Sequence, residues 1–165
     1  MTPSFRVGLG YDSHRLVAGR PLVLGGVLVP FDKGLQGHSD GDVLLHAIID
    51  ALLGACGLPD IGQLFPDDDP QWKDADSWYL LARAGARARS DNWQIGNLDA
   101  VLIAERPKIA PYVPAMKMRI AEALQLEPDC VNIRGKTAEG LGALGAGEGM
   151  AAHAICLVVK GEAGR

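Results

Sequence analysis

Asp12, His14 and His46 are the side chains whose types and spacing most readily do chemistry. In an extended segment, residues two apart point to one side, so Asp12 and His14 can converge on a single point. Two imidazoles and a carboxylate suit zinc, and three protein ligands leave a fourth position open, the catalytic rather than the structural pattern. Asp42 and Asp50 stand one helical turn before and after His46, where either carboxylate could hold the imidazole from behind. The competing reading is that His46 is a satisfied core histidine on an apolar helix, because Asp-x-His is a short and common string. Crowding of His38, Ser39, Asp40 and Asp42 ahead of that helix favours the metal.

Other polar segments admit two readings each. His38 and Ser39 precede a helix, where backbone N–H groups favour an anion; equally, Ser39 is a plain helix cap. Lys136, Thr137 and Glu139 follow a strand and could meet a phosphate and its divalent ion, although so short a string alone reads as a solvated turn. Lys108, in the connection 104–110, could reach a phosphate; alone, that connection reads as ordinary surface. Residues 140–149 form a glycine-rich loop that matches neither a Walker loop nor a dinucleotide fingerprint. His153 sits in a strand-like apolar run and reads as structural.

The elements that must carry these groups follow from pattern. Residues 6–10 read as a short strand that ends before Asp12. Pro21 to Pro30 reads as a hairpin about Gly25 and Gly26. An apolar helix runs from Val43 through Leu53, capped by Ser39 or Asp40 and stopped by Gly54 or Gly57. Residues 59–70 read as an aspartate-rich loop. Further helices are predicted over 77–89 and 113–124, the latter opened by Pro111 or Pro114. Strands are predicted over 94–104, 131–134 and 151–160. Alternating strands and helices give an α/β or α+β class: one domain over residues 1–165, a single mixed sheet with helices on one face.

At 165 residues the chain suits one domain. Its net charge of −4 argues against nucleic acid as partner, since phosphate backbones need a basic surface. A small phosphorylated ligand is still compatible, because a bound metal supplies local positive charge. The cysteines Cys56, Cys130 and Cys156 form no C-x-x-C pair and read as reduced thiols in a cytoplasm. No secretory leader is read in residues 1–6, and no apolar run approaches the ~20 residues of a membrane helix.

Taken in order, the strings Gly10-Tyr-Asp-Ser-His14, Gly25-Gly26, Gly37-His-Ser-Asp-Gly-Asp-Val-Leu-Leu-His46 and Asp50-Ala-Leu-Leu-Gly54 resemble the 2-C-methyl-D-erythritol 2,4-cyclodiphosphate synthase family. So do Asp60-Ile-Gly-Gln-Leu-Phe-Pro-Asp67, Lys73-Asp-Ala-Asp-Ser77, Pro107-Lys108 and Gly145-Ala-Gly-Glu-Gly149. The likeness runs from about residue 6 to residue 160. It implies a homotrimer with active sites between subunits, acting on a cytidine diphosphate substrate without membrane or nucleic acid. Asp12, His14 and His46 match zinc ligands, and Glu139 matches a ligand for Mg2+ or Mn2+ with the substrate diphosphate. His38 and Thr137 match transition-state stabilisers. Ser39, Asp60, Ile61, Gly62, Phe65, Asp67 and Asp69 match the erythritol phosphate pocket, to which Asp12 and His14 also contribute. Ala104, Lys108, Lys136, Thr137 and Glu139 match a cytidine diphosphate site on the adjacent subunit.

The chain departs from the family pattern at Ser13, where valine is usual, and at Gly140, where lysine is frequent. Ala143 and Ala146 replace an aromatic residue and an arginine, which implies weak binding of isoprenoid diphosphates at a trimer centre, or none. Two other activities suit the same residues: zinc-dependent hydrolysis of a nucleotide diphosphate, and binding of isoprenoid diphosphates without turnover.

Overall fold

A computed structural model describes residues 4–161. The expectations for residues 1–6 and for the full span 1–165 therefore fall partly outside the described residues. Strand β1 (Phe5–Ala18) runs for 14 residues, well past the expected end at Gly10. Asp12 and His14 thus lie within a strand rather than after one. The strand continues because its polar half still finds a ladder: Asp12 opposes Ala152 and His14 opposes Met150 on strand β7 (Gly149–Lys160).

The sheet has the order β4-β1-β7-β5-β6, with β4 at Lys33–Leu35, β5 at Trp93–Ile103 and β6 at Val131–Lys136. Among the described residues only β5 and β6 pair in parallel, so the sheet is mixed. Strands β2 (Leu22–Leu24) and β3 (Val27–Val29) form the expected hairpin, but as a separate two-stranded ribbon. Its turn residues Gly25 and Gly26 both take positive φ, 59° and 74°, the conformation a tight two-residue hairpin demands.

Helix α1 (Val43–Cys56) is the centre of the molecule. Its whole surface is buried apart from one stripe at four-residue spacing, His46, Asp50 and Gly54. Asp42, not Ser39 or Asp40, is its cap: its Oδ1 accepts the Leu45 N–H at 3.0 Å. Gly41 takes φ 74° and breaks the chain direction between Asp40 and Asp42, which moves the cap next to Val43. Gly57, with φ 72°, ends the helix. Helix α3 (Ser77–Ser90) packs on α1, and α4 (Val113–Leu124) packs on α3 and on the edge strand β6; α4 matches its predicted span. The segment expected as loop contains a one-turn helix α2 (Ile61–Leu64), capped by Asp60, and a 3-10 turn at Pro70–Trp72, capped by Asp69. The glycine-rich loop likewise folds one turn, α5 (Gly142–Gly145).

Packing of α1 on β1 inverts the usual pattern of a strand. The inward residues are Gly8 and Gly10, and the outward ones are Val7, Leu9 and Tyr11, all exposed. A Cβ on Gly10 would lie 1.8 Å from the Ala47 carbonyl oxygen, and one on Gly8 2.0 Å from that of Ala51. The helix therefore rests on strand backbone. Period two then places Asp12 and His14 on the same inward face, beside His46.

Alanine at position 10 is expected to destabilise the protein by at least ~1–3 kcal/mol in urea unfolding, because backbone atoms cannot yield as a flexible side chain can. Gly54→Ala is the control. Its added Cβ meets nothing closer than 3.8 Å, and helix propensity favours alanine by roughly 1 kcal/mol. Equal stability of Gly10→Ala and the unmodified chain would contradict the close contact.

Candidate active site

Three donor atoms meet where β1 and α1 touch. Asp12 Oδ2 lies 2.7 Å from His14 Nε2 and 3.0 Å from His46 Nδ1, and the two imidazole nitrogens are 3.2 Å apart. One carboxylate and two imidazoles aimed at one point are the donor set that fits a zinc ion. Burial works against ionised Asp12, yet hydrogen bonds and charge from His14 and His46 outweigh it and hold its pKa well below the usual carboxylate range. For His46, burial opposes the cation, but Asp12 first, then Asp42 and Asp40, raise its pKa above the ordinary value.

The groups behind His46 differ from those expected. Asp42 does not touch the imidazole. Its oxygens accept N–H groups from Gly25 (3.0 Å), Gly26 (2.8 Å) and Leu45, tying the β2–β3 turn to the start of α1. It is fully buried, which pushes its carboxyl up to about 7, with Asp40 adding to the rise and the backbone donors opposing it. Asp50 accepts the Ile61 N–H at 2.8 Å and so anchors α2. In their place, His46 Nε2 faces Ser77 Oγ at 2.9 Å and Ser39 Oγ at 3.1 Å. Ser77 in turn is bonded through both its hydroxyl and its backbone N–H to Asp40.

The metal cluster lines a cleft with His38, Ser39, Ile61, Gly62, Phe65 and Asp67. Trp72 forms one wall, its ring edge-on to Phe65 at a centroid distance of 4.9 Å. Arg20 pins the loop that carries His38 and Ser39, donating to Gly37 O at 3.0 Å and Ser39 O at 2.9 Å. Asp60 and Asp69 are helix caps and do not line this cleft; their oxygens accept from Gln63 and Gln71. Ser39 lies ahead of the helix cap, so its hydroxyl is free of capping and reaches the cleft instead.

A second cleft on the same chain holds Ala104, Lys108, Lys136 and Thr137. Glu105 accepts the Ala138 N–H at 2.7 Å and joins the 104–110 connection to the turn after β6. Glu139 is exposed in that turn at φ 54°, with its N–H donating to Thr137 Oγ1 at 3.2 Å. His38 and Thr137 thus line different clefts of one chain. His153 is exposed on the outer sheet face, where its ring lies 4.9 Å from that of Tyr11. Arg20, Ser77 and Glu105 escaped the sequence reading. Ser77 sat within a motif string, but nothing local marked it as a neighbour of His46.

A mixed α+β sheet whose central helix and first strand jointly present a two-histidine, one-carboxylate cluster at a cleft mouth defines a candidate metal centre. A model of the YgbB family matches residues 5–159. A 2-C-methyl-D-erythritol 2,4-cyclodiphosphate synthase of Clostridium perfringens is 54% identical over 94% of this chain and 99% of its own. The bifunctional IspDF of Campylobacter jejuni superposes with a TM-score of 0.91 at 40% identity over 94% of this chain, which spans 42% of that longer protein. The CDP complex of IspF from Plasmodium falciparum superposes at 0.86, with 32% identity, over 98% of this chain and 100% of its own. The chain belongs to the YgbB family, the family of 2-C-methyl-D-erythritol 2,4-cyclodiphosphate synthases.

Opposite pH slopes are expected for the metal-free and zinc-loaded protein. Raised pKa values for Asp42 and His46 mean that the folded metal-free state holds protons the unfolded chain has released. Its stability should fall as pH rises, from about pH 4 to 7 through Asp42 and above ~6.5 through His46. Zinc must displace the His46 proton, so the stabilisation it adds should grow over the same upper range. Thermal unfolding of both forms between pH 6 and 9 reads this directly, and parallel slopes would contradict it.

Proposed function

We propose that this protein cyclises 4-diphosphocytidyl-2-C-methyl-D-erythritol 2-phosphate to 2-C-methyl-D-erythritol 2,4-cyclodiphosphate with release of CMP. It acts as a homotrimer in the cytoplasm, in non-mevalonate isoprenoid precursor synthesis. The observation that carries this reading is the cluster of Asp12, His14 and His46 at the mouth of a cleft, in a chain 54% identical to a synthase of that name. An oxygen of the 2-phosphate attacks the β-phosphorus. A new P–O bond forms as the bond from the β-phosphorus to the bridging oxygen breaks, and CMP departs with that oxygen.

Zinc on Asp12, His14 and His46, and Mg2+ or Mn2+ on Glu139, would neutralise charge on the reacting phosphates. The chain's own groups do the positioning, which is most of what such a transfer needs. Ser39 and His38 donate toward the phosphates in the first cleft, where Ile61, Gly62 and Phe65 enclose the carbon skeleton beside Asp67. Asp60 and Asp69 brace that enclosure through the caps they form. Ala104 and Lys108 receive the cytidine diphosphate in the second cleft, where Lys136 and Thr137 meet its phosphates. Holding both ends of one molecule makes the reaction intramolecular, which is worth effective molarities on the order of 10⁵–10⁸ M. No general base is needed for an already ionised phosphate oxygen.

Two features support assembly. His38 and Thr137 line separate clefts of one chain, and neighbouring subunits that bring the two clefts together would let both residues serve one substrate. The outer sheet face is apolar where a solvated sheet is usually polar: Phe5, Val7, Leu9, Tyr11 and Ile155 are all about half exposed or more. The cysteines are free thiols, which suits a reducing compartment.

CMP release from the purified protein is the direct test. Release should stop with a chelator, return with zinc, and be lost together with zinc binding in His46→Ala; a linear phosphate product would instead indicate hydrolysis. Mixing inactive His14→Ala and Lys108→Ala chains under subunit exchange should recover part of the activity. A fully active monomer by light scattering would contradict the shared site.

A further inference from the structure

From the Asp40–Ser77 pair behind His46 we infer that these two residues hold the His46 proton at Nε2 and thereby present Nδ1 as a ready metal ligand. The inference rests on the metal reading above and adds to it a positioning device outside the ligand set. Ser77 has one hydroxyl proton, and a carboxylate can only accept, so the direction of the Ser77–Asp40 hydrogen bond is fixed. The Ser77 backbone N–H donates to the other Asp40 oxygen at 3.0 Å, which clasps the residue at two points and sets its rotamer. With its proton committed, the Ser77 oxygen offers His46 Nε2, 2.9 Å away, only lone pairs. Nε2 must therefore be the protonated nitrogen. Ser39 Oγ, 3.1 Å from the same nitrogen and 3.4 Å from Ser77 Oγ, can turn its proton to the Ser77 oxygen and accept from Nε2 in the same arrangement.

In the cation Nδ1 donates to Asp12 Oδ2, 3.0 Å away; once the ring is neutral, Nδ1 is left with its lone pair directed between Asp12 Oδ2 and His14 Nε2, 3.2 Å away. The rival pull is Asp12, which would favour a proton on Nδ1. Asp12 takes its closer hydrogen bond from His14 Nε2, at 2.7 Å, which leaves the pair behind His46 to decide the tautomer. Ser77 is fully buried as the first residue of α3, and Asp40 lies in the turn before α1. The pair therefore couples the start of a second helix to the readiness of the site, because the imidazole is oriented only when both segments are in place.

Long-range proton–nitrogen NMR on metal-free, nitrogen-labelled protein at pH 9 should place the neutral His46 proton on Nε2. A proton on Nδ1 in the unmodified protein overturns the inference, whatever any variant does. Competition with a chromophoric chelator should show zinc binding weakened roughly ten- to hundredfold in Ser77→Ala, with Ser77→Thr, which keeps the hydroxyl, restoring it. A brace that merely starts α3 would alter thermal stability and leave both the tautomer and the affinity for zinc unchanged, and that result also overturns the inference. If the unmodified protein binds no zinc, the metal reading itself fails, while the NMR assignment still decides the role of Asp40 and Ser77.

Discussion

Helix α1 lies directly on the backbone of β1 because Gly8 and Gly10 present nothing but hydrogen to it, and the rest of the molecule is arranged around that contact. A helix that close to a sheet must be apolar on nearly every side, and α1 is. Its one polar stripe, His46, Asp50 and Gly54, emerges at the edge where the next inward strand positions are Asp12 and His14. The same two-residue period that buries the glycines thus delivers two ligands, and the helix delivers the third. On the far side of the strand, the apolar residues that would normally face the helix point outward, so the close contact also produces the exposed apolar face available to other subunits.

Holding the start of α1 in register requires a second fixed point, and Asp42 provides it. One buried carboxylate satisfies one of the helix's orphan donors, the Leu45 N–H, and both N–H groups of the Gly25–Gly26 turn. The energetic tension is visible in its raised pKa: burial and the nearby Asp40 charge disfavour ionisation, and the Gly26 and Leu45 N–H groups only partly compensate. Asp50 does the same for α2, so the carboxylates flanking His46 organise the cleft walls while Ser77 and Ser39 contact the imidazole and Asp40 holds Ser77. Charge in the metal-free cluster runs the other way, with Asp12 strongly favoured as the anion and His46 drawn toward the cation.

Much of this was legible in the sequence where local chemistry decides local structure. The proline near its start and the apolar period gave α4 its bounds, the glycine pair gave the hairpin, and the two-residue spacing placed Asp12 and His14 on one face. Spacing sets Asp42 and Asp50 one turn from His46 but does not set their orientation, because backbone N–H groups from distant segments claim both carboxylates. Strand β1 runs past what its local pattern predicts, since its polar half is stabilised by β7, more than a hundred residues later in the chain. Ser77 lies 31 residues from His46, and no period links them; only the tertiary packing of α3 brings its hydroxyl to the imidazole. The residue-level resemblance carried the cleft residues, whereas Asp60 and Asp69 emerged as caps once α2 and the following turn were seen.

X-ray absorption at the zinc edge on the zinc-loaded protein tests the central claim most directly, that the β1–α1 contact assembles one ion site from Asp12, His14 and His46. The account predicts two imidazole nitrogens at ~2.0–2.1 Å and oxygen ligands at ~2.0–2.2 Å, with no sulfur. A sulfur shell at ~2.3 Å, or a single imidazole, would mean that the ion sits elsewhere and that the contact serves the fold alone.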